Sequence, residues 1–260
     1  MPLLTMTTDW GLCDPAVGSF KGSLFCVKEN IQVVDISHSI RHFDILTAAY
    51  VIKSTYKRFP KGTIHFIGMT GPEDSKSINP YLVVEADGHF FVGYDSGIFS
   101  LILDSLKIVS AFGLNTSGTT NRKQNEDLLI DTLVKLSNGV HPKEMGWAET
   151  EIRISYFTLP TIDANTIRGT IIYIDSFGNA IINITKEIFE KEHKGRSFNI
   201  DMRRSEYMIS KISKSYEEAP YGEIVAIFNN HDHLEIALNK SQAAGLLGLK
   251  VMDTVRIDFL

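Results

Sequence analysis

Cysteine is scarce in this sequence: Cys13 and Cys26 are the only two among 260 residues, and no CxxC pair occurs. Two thiols cannot form the disulfide framework of a small secreted domain, and without a CxxC pair the most common zinc signature is missing. The eight histidines also show no metal-ligand spacing. We therefore expect free thiols in a reducing cytoplasm and no metal site.

Long apolar runs and an excess of positive charge are also missing. No run approaches the roughly 18 residues that a membrane span requires, and the N-terminal residues MPLLTMTTDWG lack the basic and apolar regions of a signal peptide. Lys and Arg number 26 against 31 Asp and Glu, which gives a formal net charge of −5. Because nucleic acids attract clustered basic residues, we expect neither a nucleic acid nor a membrane as partner.

Hydrophobic residues make up 43% of the chain, which is enough for a sizeable core. In the first half, strand-like apolar segments alternate with segments of helical spacing. The predicted strands are 3–8, 31–36, 63–69, 107–112 and a hairpin over 81–94, and the predicted helices are 15–28, 44–56 and 126–136. Asp14 is placed to cap the first helix, and the polar segment 115–125 is expected to be a loop. The alternation predicts an α/β domain with a mixed central sheet.

The second half contains a run of short strands. They are predicted over 167–174, 180–184, 206–212, 223–229, 234–238 and 254–259, and only 186–193 and 241–247 have helical spacing. Many short strands indicate a small β barrel or sandwich. The pattern changes between 160 and 168, so we expect an N-terminal α/β domain over 1–160 and a smaller C-terminal β barrel-like domain over 168–260.

The segment TTDWGLCDPAVGSFKG, over 7–22, follows the first predicted strand. Asp9 lies just beyond the carboxyl end of that strand, where open α/β sheets bind ligands. A carboxylate at that place can accept hydrogen bonds from both hydroxyls of a ribose. The alternative is that Asp9 makes a turn and Asp14 only caps a helix, which the segment alone favours because such caps are common.

The segment IDSFGNAIINI, over 174–184, places Asp175, Phe177 and Asn179 between two β-branched runs. A plain hairpin, with glycine and asparagine supplying positive φ angles, is the simpler interpretation. A binding turn is the functional alternative. Asp175 would then pair with a cation, Phe177 would stack on a flat ring, and Asn179 would read the edge of a base.

A third polar segment, TGPEDSKSIN over 70–79, follows the third predicted strand. It suits a surface loop and an active-site loop equally well. It is not a phosphate-binding P-loop, because its glycine spacing and its ending differ from that motif. His38 and His65 lie in strand-like runs and are expected to be structural, whereas His231 and His233 flank Asp232 in a predicted hairpin tip.

Taken in order, these segments resemble the SAM hydrolase family (SAM hydroxide adenosyltransferase, where SAM is S-adenosylmethionine), a relative of the enzymes that fluorinate and chlorinate SAM. The resemblance spans nearly the whole chain. It includes VDISHSIRHFDILTAA from 34, FPKGTIHF from 59, FVGYDSGIFSLIL from 91, and the closing segments YGEIVAIFNNHDHLEIAL, SQAAGLLGL and DTVRI. It implies a homotrimer of two-domain subunits, with the ligand between the N domain of one subunit and the C domain of its neighbour.

The resemblance also assigns roles to residues of the first domain. Asp9 matches the residue that holds the ribose hydroxyls. Asp14 matches a polar residue near the methionine end of the ligand, and Phe43 matches an aromatic wall of the pocket. No cofactor is implied, since SAM or adenosine is itself the substrate or ligand.

In the second domain, Asp175 matches the carboxylate that pairs with the methionine ammonium group. Phe177 and Asn179 match residues on the adenine side. Asn230 and His231 stand where the family has a polar pair near the methionine carboxylate. The resemblance therefore favours the binding turn over the plain hairpin at 175–179.

The sequence departs from the family at the reaction centre. The hydrolases carry an Asp-Pro-Gly-Val-Gly segment followed by an Arg, and a His in a His-Gly-Arg-Asp segment, which together hold and activate water. The corresponding positions here are Thr70, Ser77 and Gln124. These side chains cannot accept a proton near neutral pH as a carboxylate or an imidazole can. Glu73 and Asp74, in the same loop, are the candidates for a shifted base.

Three functions are compatible with these observations. The first is a divergent SAM hydrolase that releases adenosine and methionine slowly. The second is a binding protein that holds SAM, adenosine or a related nucleoside without turnover. The third is a structural trimer that has lost the ligand, and the retained Asp9 and Asp175 argue against it.

Overall fold

The first half of the chain folds around a seven-stranded sheet with the order β2-β1-β3-β5-β4-β6-β7. The computed structural model describes residues 3–69, 80–103, 108–116, 121–145, 147–155, 159–202 and 208–260. The strands are β1 Leu4–Thr8, β2 Val33–Ser37, β3 Ile64–Gly68, β4 Tyr81–Ala86, β5 His89–Tyr94, β6 Ile108–Gly113 and β7 Ala148–Glu149. β1 is parallel to β2 and β3, and β3 is parallel to β5, whereas β4, β6 and β7 pair antiparallel. The predicted mixed central sheet is confirmed.

Helices cover both faces of this sheet. Because alternate residues of a strand point to opposite sides, neighbouring residues of one strand pack against different helices. They are α1 Ala16–Val27, α2 Ile45–Thr55, α3 Ile98–Ile102 and α4 Arg122–Ser137. Phe66 of β3 shares a buried cluster with Phe20 of α1 and Leu133 of α4. The next residue, Ile67, belongs to the cluster on the other face, with Ile52 of α2.

Residues 156–260 form a second compact unit, separate from residues 1–155. Its sheet has the order β11-β14-β9-β10-β13-β12, with β8 paired to β9. The strands are β8 Thr161–Asp163, β9 Thr166–Ile174, β10 Ala180–Thr185, β11 Phe198–Met202, β12 Ile224–Phe228, β13 His233–Leu238 and β14 Thr254–Phe259, and the helices are α5 Lys186–His193 and α6 Ala243–Leu247. Buried isoleucines on alternate strand positions, such as Ile171 and Ile257, fill its core. The predicted barrel-like β domain is confirmed.

The predicted cap of α1 is wrong. The N-cap residue is Pro15, without a side-chain cap hydrogen bond, and Asp14 precedes it. Proline is tolerated where a helix starts, because the N–H that it lacks would have no partner within the helix.

The predicted loop over 115–125 is too long. α4 begins at Arg122, because the side chain of Asn121 accepts the backbone N–H of Gln124 at 3.1 Å.

In the predicted strand over 206–212, residues 206 and 207 lie outside the described residues. Ile209 and Ile212 form only isolated bridges, and the strands β7, β8 and β11 were not predicted.

Two expectations from composition concern the described residues. Cys13 and Cys26 are free and exposed, as predicted. In the part of the chain that the structure describes, no helix has the length and apolar character of a membrane span.

A buried histidine pair lies near the amino ends of β3 and β5. His65 Nδ1 is 2.8 Å from Thr5 Oγ1, and His65 Nε2 is 3.2 Å from His89 Nδ1. Burial, followed by the charge of His89, lowers the pKa of His65 to about 3. Burial also lowers the pKa of His89. His65 is therefore a structural histidine, as predicted, and the fold holds it neutral.

This pair should make stability depend on pH. Because the pKa of His65 in the fold is about 3 against an ordinary value of 6.5, its contribution is complete above pH 6.5. The contribution is lost as the pH falls from 6.5 towards 3, since only the unfolded chain takes up the proton. Between pH 7 and pH 5, His65 alone should lower the free energy of unfolding by about 2 kcal/mol.

Urea unfolding at pH 7 and pH 5 measures this effect. His65→Gln should remove about 2 kcal/mol of the decline, whereas His42→Gln, at an exposed position, should leave the decline unchanged. A decline in His65→Gln as large as that of the wild type would contradict the assignment.

Candidate functional site

The carboxyl ends of β1, β2, β3 and β5 lie at one edge of the first sheet, because these four strands run parallel. Ligands of open α/β sheets bind outside this edge. Asp9 directly follows β1, His38 follows β2, and Asp95 follows β5. The edge therefore collects polar side chains from positions far apart in the sequence.

Asp9 and Phe43, which the sequence analysis singled out separately, are in contact. Asp9 is 1% exposed, and its Oδ2 accepts the backbone N–H of Phe43 at 3.2 Å. Phe43 has a φ of +64°, and its ring is 65% exposed. Asp9 thus holds the loop between β2 and α2, and this loop presents the Phe43 ring to solvent.

His38 supports the same edge from β2. Its Nδ1 is 2.8 Å from Thr8 Oγ1, and its backbone C=O accepts the N–H of Gly11. Its Nε2 lies 3.1 Å from Asp35 Oδ1, although the ring is not turned for a well-aligned hydrogen bond. Partial burial raises the pKa of Asp35, but the hydrogen bond from Lys21 and the close approach of His38 outweigh burial and lower it. His38 is the structural residue that the sequence predicted.

Two further hydroxyl groups, which were not predicted as site residues, lie at the end of β5. Tyr94 Oη and Ser96 Oγ are buried and have no hydrogen-bond partner among the described residues. Buried polar groups usually have a partner, so both are suited to bind a polar ligand at this edge. A tyrosine that ends an apolar strand gives no sequence signal of such a role.

Of the remaining predicted residues of the first half, Asp14 and Gln124 lie within the described residues. Asp14 is exposed between β1 and α1. The predicted catalytic residues Thr70, Glu73, Asp74 and Ser77 lie outside the described residues. Gln124, at the position of the family's histidine, lies in the first turn of α4.

The turn between β9 and β10 is organised by the Asp175 carboxylate. Asp175 Oδ1 accepts the backbone N–H of Phe177 at 2.9 Å and that of Asn179 at 2.8 Å. Asp175 Oδ2 accepts from Asn179 Nδ2 at 3.1 Å. A carboxylate has about four acceptor positions, so one remains for a further donor. The structure thus shows the hairpin, and the hairpin holds the three predicted binding residues together.

Phe177 and Asn179 differ in exposure at this turn. Phe177 is 74% exposed, whereas Asn179 is 8% exposed. The exposed ring is free to stack on a flat group, while the amide of Asn179 has a fixed orientation. Gly178, between them, has a φ of +80°, and its backbone C=O accepts the N–H of Ala244 in α6 at 2.8 Å.

The predicted hairpin tip between β12 and β13 is confirmed as a turn. Asn229 Oδ1 accepts the backbone N–H of His231 at 3.0 Å and that of His233 at 3.2 Å. Asp232 takes a positive φ of 58°. Asn230 and His231 are both exposed at this tip. The residues that the structure describes include no group of three or more His, Cys, Asp or Glu side chains that could hold a metal ion.

Two family models match the chain in order. The N-terminal domain model of SAM hydroxide adenosyltransferase matches residues 4–146, and the C-terminal domain model matches residues 169–256. Together they include both turns and the sheet edge described above.

Similar proteins match over almost their full length. An (R)-S-adenosyl-L-methionine hydrolase of Methanocaldococcus jannaschii is 26% identical over 99% of this chain and 96% of that protein. The hydrolase of the same name from Thermus thermophilus is 25% identical, over 96% and 97%, and a fluorinase of Actinoplanes sp. is 20% identical, over 98% and 97%. The crystal structure of an uncharacterized conserved protein from Thermotoga maritima shares the fold, with a TM-score of 0.85 and 19% identity over 98% of this chain and 100% of that one.

A glycine substitution tests whether the Asp175 turn depends on its packing. A Cβ at Gly178 would lie 3.0 Å from Gln242 Cβ and 3.2 Å from Gln242 Cα, whereas a Cβ at Gly195, with a similar φ of +78°, would meet nothing within 4 Å. Each alanine should cost about 1–2 kcal/mol through the left-handed backbone.

Gly178→Ala should cost more than Gly195→Ala, because Gln242 must also shift. Urea unfolding of both variants gives the comparison. Equal losses of unfolding free energy would show that the contact with Gln242 does not constrain the turn.

Proposed function

The chain belongs to the SAM hydroxide adenosyltransferase family, and we propose that it binds SAM and hydrolyses it slowly to adenosine and L-methionine. The observation that carries this proposal is the match of both family models, in order, over 4–146 and 169–256. Relatives over nearly the whole chain are named SAM hydrolases. The fold class and the family predicted from the sequence are therefore confirmed.

The described residues support the binding half of the proposal. Asp9 supplies a buried carboxylate at the edge where α/β sheets bind ligands, and two ribose hydroxyls can donate to it. Asp175 retains acceptor capacity for an ammonium group, and Phe177 offers an exposed ring to the adenine. The homotrimer, with a ligand shared between neighbouring subunits, follows from the family resemblance and stays a prediction.

The reaction requires an activated water molecule. The water oxygen forms a bond to the ribose 5′ carbon, the bond from that carbon to the sulfonium sulfur breaks, and the electron pair leaves with neutral methionine. The proton of the water must go to a base, and a positioned base contributes about 10²–10⁴-fold to the rate. Thr70, Ser77 and Gln124 cannot take that proton near neutral pH, so we propose Glu73 or Asp74 as the base.

A second candidate is a binding protein without turnover. The replacement of the family's Asp, Arg and His by Thr70, Ser77 and Gln124 favours it. It retains the same ligand contacts and differs only in the fate of SAM.

Two variants test the binding roles. Asp9→Ala should weaken SAM and adenosine equally, because both ligands carry the ribose, by about 1.5–3 kcal/mol for each charge-assisted hydrogen bond lost. Asp175→Asn keeps an oxygen for the N–H groups of Phe177 and Asn179 but removes the charge and the acceptor of Asn179 Nδ2. It should weaken SAM by about 10-fold more than adenosine, because both ligands carry the adenine but only SAM carries the ammonium group. Isothermal titration calorimetry measures both, and equal losses in Asp175→Asn would contradict its role.

The catalytic proposal is tested by adenosine release from SAM, followed by chromatography. Wild-type turnover should lie about 10²-fold or more below that of a typical family hydrolase, and it should rise with pH through a single ionisation. Glu73→Gln or Asp74→Asn should reduce it steeply.

Release at the uncatalysed rate, unchanged in both variants, would identify a binding protein. Turnover at the full hydrolase level in the wild type and in both variants would show that the base lies elsewhere.

A further inference from the structure

Glu235 is a buried carboxyl group in an otherwise apolar strand. It is 4% exposed. Its neighbours Leu234 and Ile236 point into the core of the second unit, so Glu235 points to the opposite face of the sheet. Its strand partners on that face are Ile181 of β10 and Ile227 of β12.

Two donors hold the Glu235 carboxyl group. Tyr216 Oη donates to Glu235 Oε1 at 2.6 Å, and the side chain of Asn229 forms a second hydrogen bond with it. Burial raises the pKa of Glu235, the two hydrogen bonds oppose burial, and the charge of Asp175 raises the pKa further. Burial and the Glu235 carboxylate also raise the pKa of Tyr216. Tyr216 therefore remains a hydrogen donor.

Asn229 connects Glu235 to the tip of the hairpin. Its Nδ2 donates a hydrogen bond to Glu235, while its Oδ1 accepts the backbone N–H groups of His231 and His233. These bonds fix the orientation of the amide, because its oxygen cannot exchange places with its nitrogen without losing them. The position of Glu235 thus determines how the tip with Asn230 and His231 is held.

Asp175 lies on the same face of the sheet. Asp175 and Asn179 close the turn of β9 and β10, in phase with Ile181, the strand partner of Glu235. Burial raises the pKa of Glu235, Tyr216 and Tyr173, and the negative charge of Asp175 raises all three further. Two carboxyl groups therefore share one face with the turn that the family resemblance assigns to the ligand.

We propose that Glu235 is a positioning residue of the ligand site, which holds the hairpin tip through Asn229 and, beside Asp175, adds negative charge that favours a ligand with an ammonium group. This inference rests on the proposed function. When Glu235 takes up a proton, one of its oxygens becomes a donor and meets Tyr216 or Asn229, which also donate. Protonation therefore removes the charge and loosens the tip in one step.

The sign of the expected pH effect follows from charge. A bound ammonium group favours the ionised form of Glu235, so SAM binding should release a proton and SAM affinity should rise with pH. Adenosine carries no ammonium group and should bind without this dependence. The other titratable groups that face Glu235 or its partners are Tyr173, Asp175, Glu217, His231 and His233.

The experiment compares SAM and adenosine by titration calorimetry at pH 5 and pH 7.5. In the wild type, the ratio of SAM affinity to adenosine affinity should fall about threefold to tenfold at the lower pH, since one pKa unit of coupling corresponds to tenfold. Glu235→Gln should keep a nearly constant ratio. Glu223→Gln, an exposed glutamate next to β12, should behave as the wild type.

The wild-type protein provides a second measurement if Glu235→Gln fails to fold. Calorimetry at pH 5.5 in two buffers of different ionisation enthalpy should show proton release with SAM and none with adenosine. Equal pH profiles in the wild type and Glu235→Gln, or equal proton release with both ligands, would overturn the role of Glu235 alone. A wild type that binds neither ligand would overturn the proposed function, and this inference with it.

Discussion

The parallel pairing of β1 with β2 and β3 is the constraint on which the first unit depends. Parallel strands end at the same edge, so the residues that follow them meet there whatever their distance in the sequence. Asp9 is buried at this edge, where it fixes the backbone of Phe43, and His38 packs against Thr8. A carboxylate so buried requires hydrogen bonds, and the N–H of Phe43 supplies one of them. The parallel pairing thus brings Asp9 and His38 to the same edge of the sheet.

In the second unit, polar side chains are held in place by short turns between strands. Asp175 closes the β9–β10 turn through two backbone N–H groups and orients Asn179, while Asn229 closes the β12–β13 tip. Each of these side chains satisfies its local backbone and lies within a sequence segment that resembles the SAM hydrolases. The hairpin interpretation and the binding interpretation of 175–179 are therefore compatible, since the bonds that make the hairpin also hold the binding groups in place.

Local patterns predicted much of this fold, including strands whose partners are distant in the sequence, such as β9 and β14. The strands with buried alternating residues and the helices α2 and α5 lie within one or two residues of their predicted bounds. The start of α4 was missed, because its first two turns are polar and its first buried residue is Leu129. β8 is exposed throughout and so lacks the apolar alternation of a half-buried strand. β11 has that alternation, since Phe198, Ile200 and Met202 are buried, but no strand was predicted there. Asp9, Asp175 and Asn179 were singled out from their segments, and the family resemblance predicted their binding roles. Tyr94 and Glu235 were not singled out, because their surroundings depend on neighbours across the sheet.

The central proposal, which follows from the family resemblance, is that Asp9 binds the ribose of SAM and that Asp175 binds its ammonium group. A crystal structure of the protein after incubation with SAM tests it most directly. We expect SAM, or its adenosine product, with both ribose hydroxyls on the Asp9 carboxylate, the adenine against Phe177 and Asn179, and any methionine ammonium group on Asp175. A ligand bound elsewhere, with Asp9 and Asp175 untouched, would contradict it.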